Sequence, residues 1–507
     1  MGPRFLGSLT PVDAVLALDA GTTGVRAVAF GPDLEELASA YRPLRQSFPQ
    51  PGEVEHDAEE IAAAAQATLG EVAAVLAARR HVPVALGLTN QRETTVAFDR
   101  ARPGALAPAL VWQDRRTAGA CDALRAAGHE DVVRATTGLV LDPYFSASKM
   151  RWLLDQGVLD HAEAPALATV DSWLLWRLTG GPDGGVFATE PSNASRTALM
   201  DLATRGWSPS MAALFGVPVD LLAPIGPSAR VVGALADPGG GPLDGLPLAA
   251  VLGDQQSALF GQAGFRAGDV KATYGTGAFV VANAGTEPPA PVPGLLATVA
   301  WDLGVLGGAT YALEGSAFVA GAAIEWLAEG LALLEAPTDL ERLARTVPDA
   351  AGVRFVPALA GLGSPYWRAD VRGALTGLEA TTTRGHLARA VVDALAYQVR
   401  AITDAFAAAG QPATTLRIDG GVARMDLLAQ LQATLGQVPV ARGPGTEATA
   451  RGAAGLAGLV TGVWGSLDEL RARWVASAVF EPGDPTSVQP GYEAWRRTVE
   501  RLLGAAG

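Results

Sequence analysis

The run Leu16-Ala17-Leu18-Asp19-Ala20-Gly21-Thr22-Thr23-Gly24-Val25-Arg26 reads as a strand, a Gly/Thr turn and a second strand. That order restricts what the chain can fold into. A Walker loop needs a strand, a glycine loop closing on Gly-Lys-Ser/Thr, and a helix. A dinucleotide fingerprint needs Gly-x-Gly-x-x-Gly opening a helix, and neither pattern stands here. A hairpin is left. Its turn can aim backbone N–H groups and the hydroxyls of Thr22 and Thr23 at phosphate oxygens, with Arg26 adding positive charge and Asp19 able to hold a magnesium ion, partly through water. An ordinary β-hairpin fits the same residues. Tyr274-Gly275-Thr276-Gly277 repeats the chemistry between two further strands. Two such hairpins, one per domain, would grip a polyphosphate from both sides of a cleft.

Around these turns the chain alternates short β-rich runs with turn residues: Ala14 to Ala20, Val25 to Phe30, Val84 to Thr89, Thr94 to Asp99 and Ala109 to Asp114. One helix is marked by Asp57 and Glu60 as a capping box ahead of an apolar face of Ile61, Leu69, Val72, Val75 and Leu76. A restart follows near residue 247, with Leu248 to Leu252, Val270 to Tyr274 and Phe279 to Ala284. Later, a strand over Leu416 to Ile418 ends in Asp419-Gly420-Gly421, flanked by helical stretches at about 385 to 409 and 426 to 436. At 507 residues the chain exceeds one ordinary core. The boundary is expected near 263, giving domains 1–263 and 264–507, possible distant copies of one α/β unit. The Gly/Pro-rich stretch Asp237 to Leu246 is expected to be an exposed loop inside the first domain.

Polar clusters at strand ends point to an acceptor site, because open α/β sheets place ligands there. Gln91-Arg92-Glu93 lies between two strands, and Gly253-Asp254-Gln255-Gln256 follows an apolar one. Hydroxyls of a polyol both donate and accept, so Arg92 and Glu93 can satisfy one diol together. Each cluster has a plainer reading: Asp254 fits a helix N-cap equally well, Arg92 and Glu93 a solvated hairpin tip, and Trp112 core on its strand.

A net charge of −14 argues against general affinity for nucleic acid or an anionic membrane surface. One cysteine, Cys121, excludes an internal disulfide, and the five histidines form no ligand pair at metal spacing, so a reducing cytoplasm is expected. Near the N-terminus, Arg4 and Leu6 are followed by Pro11 and Asp13, which break the apolar run of a signal peptide. The apolar stretch at 293 to 335 is interrupted by Asp302 and Glu314 and reads as buried sheet and helix instead of a membrane span.

Taken together, these segments resemble the FGGY carbohydrate kinases, and among them the members that phosphorylate glycerol. The resemblance spans nearly the whole chain. It adds Pro51-Gly52-Glu53-Val54-Glu55-His56-Asp57, Thr89 to Thr95, Val111 to Ala118, Asp142-Pro143-Tyr144-Phe145-Ser146, Leu313-Glu314-Gly315-Ser316, Gly361-Leu362-Gly363-Ser364-Pro365-Tyr366-Trp367 and Asp393-Ala394-Leu395-Ala396-Tyr397-Gln398. It implies an α/β chain of two actin-like, ribonuclease-H-like domains facing a central cleft, which agrees with a boundary near 263. The implied activity is transfer of a phosphoryl group from ATP, with Mg2+, to glycerol, by a cytoplasmic enzyme that forms homo-oligomers. By family pattern, Arg92, Glu93, Tyr144, Asp254 and Gln255 bind glycerol, with Trp112 and Phe279 on its carbons and Asp254 as general base. Thr22, Thr23, Gly24 and Arg26 meet phosphate, Asp19 the metal, and Thr276, Gly321, Glu325, Gly421 and Met425 the nucleotide.

Some positions depart from that pattern. Ala20 stands where glutamine is usual, Gly24 where serine is and Glu53 where tryptophan is. Near the adenosine, Glu325 replaces a glutamine and Met425 an asparagine. Gly226 to Gly253 lacks the Gly-Gly-x-Gly-Gly-Thr-Arg segment that binds fructose bisphosphate in some bacterial members and holds no histidine for phosphotransfer regulation, so insensitivity to both controls is expected.

Overall fold

The computed structural model describes residues 12–236, 241–445 and 447–505, so Arg4, Leu6 and Pro11 lie outside the described residues, as does 237–240 of the Gly/Pro-rich stretch. The chain divides into two compact units. The first comprises Met1–Gly261, Trp301–Ala309 and Thr449–Arg473; the second comprises Gln262–Ala300, Thr310–Ala448 and Trp474–Gly507. Neither unit is continuous in sequence.

A six-stranded sheet centres the first unit. Val12–Ala20 pairs antiparallel with Gly24–Phe30, which pairs antiparallel with Glu36–Pro43. On its other side Val12–Ala20 runs parallel to His81–Asn90, then Pro247–Gly253 lies parallel and Ala229–Ala234 antiparallel at the edge. The second unit repeats this plan. Asp269–Tyr274 makes a hairpin with Ala278–Gly285, antiparallel Ala309–Ala317 lies beyond, and Leu296–Asp302 adds an outer strand. On the opposite side come parallel Thr415–Asp419, parallel Val440–Arg442 and antiparallel Ala478–Phe480. The shared order, with a hairpin next to parallel strands, is the mixed sheet of actin-like, ribonuclease-H-like domains.

Central strands buried on both faces read as near-continuous apolar runs, which is why Ala14 to Leu18 and Leu248 to Leu252 were legible. Helix Ala58–Ala78 covers one face with Ile61, Leu69, Val72 and Leu76 buried, while Val75 faces outward. Its length and apolar composition would suit a membrane span, but half of it is buried inside the protein. Asp57 caps it by accepting from Glu59 N–H; Glu60 instead reaches the Arg45 N–H at 3.5 Å, so no reciprocal box forms.

Helix Ala448–Thr461 joins the first unit because Gly87, lacking a side chain, lets the Ala453 backbone come into contact with the central strand. Arg451 donates to Leu34 O at 2.8 Å, and Trp464 and Arg473 both donate to Pro32 O. The described part of the Gly/Pro-rich stretch buries Leu243 and Leu246, so it is anchored instead of fully exposed. The run read as a strand from Ala109 to Asp114 is one only over Ala109–Leu110, after which the chain turns and leaves Trp112 half-buried off the sheet.

Candidate active site

Three parallel strands of the first unit end level with one another: Ala20 lies opposite Asn90, and Asn90 opposite Gly253. The loops that leave these ends carry Gly21 to Thr23, Gln91 to Glu93, and Asp254. Carboxyl ends of adjacent parallel strands are where such sheets hold ligands.

The first turn closes with Gly21 N–H donating to Gly24 O at 3.0 Å, and Asp19 pairs across the hairpin with Arg26. Thr23 is exposed, and Asp19, Thr22 and Arg26 are half-buried. Gln91 braces the turn: its N–H donates to Ala20 O at 2.8 Å and its Nε2 to Gly21 O at 3.2 Å. A Cβ at Gly24 would displace the exposed ring of Tyr41, whose Oη donates to Thr23 O at 3.0 Å and which lies 5.1 Å from the Arg26 guanidinium. Glycine, where serine is usual, leaves room for Tyr41 to lie over the turn. Glu53 joins Glu55 and Asp114 around the Arg116 guanidinium, an ionic role that a tryptophan could not fill.

Arg92 and Glu93 are both buried, which excludes the solvated hairpin tip. Arg92 Nε lies 3.2 Å from Asp254 Oδ1, and its Nη1 donates to Gln256 Oε1 at 3.1 Å. Asp254 opens helix Asp254–Gly261; its Oδ1 also accepts from the Gln255 N–H at 2.7 Å, and both residues are half-buried. Glu93 has φ 59° and is spanned by a Thr94 N–H to Arg92 O bond of 2.7 Å, a γ-turn in a conformation disfavoured for a side-chain-bearing residue. Burial pushes its carboxyl above the ordinary range, and the neighbouring Arg196 and Arg92 cations oppose that shift.

Tyr144 packs edge-to-face on Trp112 with centroids 5.5 Å apart, and Trp112 Nε1 donates to Thr22 Oγ1 at 2.9 Å, joining the aromatic pair to the first Gly/Thr turn. Lys149, wholly buried, donates to the carbonyls of Pro143, Tyr144 and Phe145, and burial lowers it to about 8. The structure thus brings together Thr22, Arg92, Glu93, Trp112, Tyr144, Asp254 and Gln255 within one unit.

Phe279, Thr276, Gly321, Glu325, Gly421 and Met425 belong to the second unit. Its turn closes with Gly275 N–H donating to Gly277 O at 2.9 Å, and Thr276 is exposed. Ala320 and Ala322 N–H groups donate to Thr276 O, and Gly321 N–H to Gly275 O, tying helix Gly321–Glu325 to the turn. Glu325 is exposed, Phe279 is half-buried on the strand after the turn, and Met425 precedes helix Asp426–Gly436. Gly420 has φ 91° and abuts Tyr274 O, whereas a side chain at Gly421 would meet open space. A cavity of about 160 Å³ opens beside this turn between Asp419, Arg424, Arg442 and Ser477. Among the described residues no cluster of three or more acidic, histidine or cysteine side chains could hold a metal.

Sequence reasoning passed over Arg196, Lys149 and the segment from Glu190 to Asn193. The available signal was density of polar residues: Thr189 to Thr197 holds seven polar or charged side chains in nine, and all nine residues are buried.

Residues 14–261 match the N-terminal domain, and residues 270–460 the C-terminal domain, of the FGGY family of carbohydrate kinases. The chain belongs to this family. Among FGGY relatives it is 48% identical over 491 residues to a glycerol kinase of Gloeobacter violaceus, covering 96% of each chain. It is 44% identical over 495 residues to one of Myxococcus xanthus, covering 96% of this chain and 99% of that one. The structure of a Plasmodium falciparum glycerol kinase with ADP superposes with a TM-score of 0.91 at 30% identity, over 98% of this chain and 99% of that one. A gluconate kinase of Lactobacillus acidophilus shares the fold at a TM-score of 0.87 and 18% identity.

Proposed function

We propose that this FGGY kinase transfers the γ-phosphoryl group of ATP to a terminal hydroxyl of glycerol, giving sn-glycerol 3-phosphate and ADP, with Asp254 as general base. The observation that carries the reading is the convergence at three neighbouring strand ends of Arg92, Glu93 and Asp254, with Arg92 Nε 3.2 Å from Asp254 Oδ1. A compact triol suits such a site. Glu93 and Arg92 supply one acceptor and several donors to vicinal hydroxyls, while Trp112 and Tyr144 present apolar faces to the carbons. Phe279 and Gln255 enter through the family resemblance.

Positioning and charge neutralisation carry most of such a transfer. Thr22, Thr23 and Arg26 are assigned to phosphate, and Thr276, Gly321, Gly421, Glu325 and Met425 to the rest of the nucleotide. Asp19, half-buried at a strand end beside a phosphate-binding turn, fits a magnesium ion that keeps several waters and takes one carboxylate plus phosphate oxygens. When bound, that ion supplies charge neutralisation on the transferring phosphate. Asp254 accepts the hydroxyl proton as the new O–P bond forms, a step worth about 10²- to 10⁴-fold in rate.

The test is glycerol-dependent ADP release by the wild-type enzyme and by Asp254→Asn, alongside a panel of other polyols and sugars. Asp254→Asn is expected to lose about 10²- to 10⁴-fold in kcat. Near-normal turnover by the variant would remove Asp254 as the base, and absence of glycerol-dependent turnover by wild type would remove the acceptor.

A further inference from the structure

The acceptor residues sit on two loops remote in sequence, and one short buried segment touches both. A polar run taken out of water is costly unless its groups find partners, and here those partners lie partly within the run and partly on the two loops. Glu190 gathers five donors: Ser192 N–H at 2.9 Å, Ser192 Oγ at 2.5 Å, Asn193 N–H at 2.7 Å, Asn193 Nδ2 at 3.0 Å and Ser228 Oγ at 2.6 Å. Ser192 Oγ, so oriented, accepts the Gly253 N–H at 2.8 Å, one residue before Asp254. Asn193 exchanges two bonds with the Asn90 amide, at 2.9 and 3.2 Å, one residue before Gln91. Arg196 Nε donates to Glu93 Oε1 at 2.5 Å, and its guanidinium lies 5.2 Å from the Tyr144 ring and 5.1 Å from that of Phe145.

We infer that Glu190–Arg196 is the positioning element of the acceptor site, and that Arg196 sets polyol affinity through Glu93 and Tyr144; this rests on the acceptor reading above. Arg196 is fully buried behind Glu93. Glu93 occupies a strained γ-turn, so its carboxylate stays in place only while surrounding bonds hold it. Among them are the Arg196 bond to the carboxylate and the Ser146 Oγ and Thr95 Oγ1 bonds to the Glu93 carbonyl. A planar guanidinium can donate edge-on to the carboxylate while presenting its face to two rings. An ammonium cannot do both.

The experiment is steady-state kinetics of Arg196→Lys, Glu93→Gln and the double variant, using glycerol or whichever polyol the wild type turns over. Arg196→Lys is expected to raise KM for the polyol about 10- to 100-fold, the scale of a lost charge-assisted bond, with KM for ATP unchanged. The double variant is expected to be no worse than Glu93→Gln alone. A purely structural role would reduce the amount of active enzyme and lower apparent kcat, leaving KM for the polyol where it was. That result, or effects of the two substitutions that multiply, would overturn the inference.

If Arg196→Lys does not fold, Ser192→Ala removes a single oxygen. It is expected to lower kcat about tenfold per folded molecule, and an unchanged kcat would count against the element. A crystal structure of Arg196→Lys with Glu93 and Tyr144 unmoved would refute the inference whatever the acceptor. A wild-type enzyme that turns over no polyol would instead refute the proposed function.

Discussion

Gly253→Ala tests the acceptor geometry with one carbon. Gly253 is not among the residues with positive φ, so alanine is compatible with its backbone and only contact matters. A Cβ there would lie 2.7 Å from Arg92 Cδ, 2.8 Å from Cγ and 3.0 Å from Gln256 Oε1. To restore ordinary contact Arg92 must withdraw by about 0.7 Å. It is 3% exposed, so it has little room to move without giving up Asp254 at 3.2 Å or Gln256 at 3.1 Å. Misplacement on the order of 1 Å costs about 10²-fold in well-oriented reactions, so KM for glycerol is expected to rise about 10- to 100-fold. Overpacking should also cost about 1–3 kcal/mol of stability. ADP release is titrated separately with glycerol and with ATP, and thermal unfolding is followed in parallel. If the glycerol KM and the melting temperature both stay at wild-type values, Arg92 does not hold the acceptor from the position described.

Gly24→Ser should push out Tyr41, which at 42% exposure can swing into solvent, so stability should change by less than about 1 kcal/mol. KM for ATP should rise about 3- to 10-fold as the Tyr41 bond to Thr23 is lost, and an ATP titration reads it. Fructose 1,6-bisphosphate should leave the initial rate unchanged, and a clear drop in activity would contradict the reading of 226–253. Burial raises Glu190 to about 7 from 4.5, with Asp171 adding to the shift against its hydroxyl and backbone donors. A raised carboxyl pKa contributes stability that is complete below about 4.5 and lost as pH climbs through 7, on the order of 3 kcal/mol. Denaturant midpoints at pH 5 and pH 8 should therefore move in favour of Glu190→Gln, relative to wild type, at the higher pH; parallel shifts would contradict this.

How much of this was legible in sequence follows from where each signal lies along the chain. The two Gly/Thr turns were readable because a turn between two strands is a local event, written in four or five consecutive residues. The central strands were readable because burial on both faces leaves unbroken apolar runs. The split of the chain was only half legible: the helix starting at Ala448 looks in sequence like a plain continuation of the second section. Its place in the first unit depends on the missing side chain of Gly87 and on Arg451, Trp464 and Arg473 reaching Pro32 and Leu34. Val75 fits the apolar face of its helix by spacing, yet points to solvent, because the sheet beneath covers a narrower stripe than the pattern offers.

The acceptor site shows the same divide at finer grain. Asp254 taken alone reads equally as a helix cap and as a base, and in the structure one oxygen of its carboxylate meets both the Gln255 N–H and the Arg92 guanidinium. The contact with Arg92, a buried cation drawn from a loop about 160 residues away in sequence, ties Asp254 to the proposed acceptor loops, and the proposed base role rests on the Asp254→Asn test. Arg196 carries the point further. No local rule links it to Glu93, 103 residues distant, and a polar run such as Glu190–Arg196 looks like a surface loop until its burial is known. Residues proposed to touch a ligand therefore sit in recognisable turns, while those proposed to hold them in place are set by tertiary neighbours. The Arg196 variants ask whether that second set governs affinity as strongly as the first.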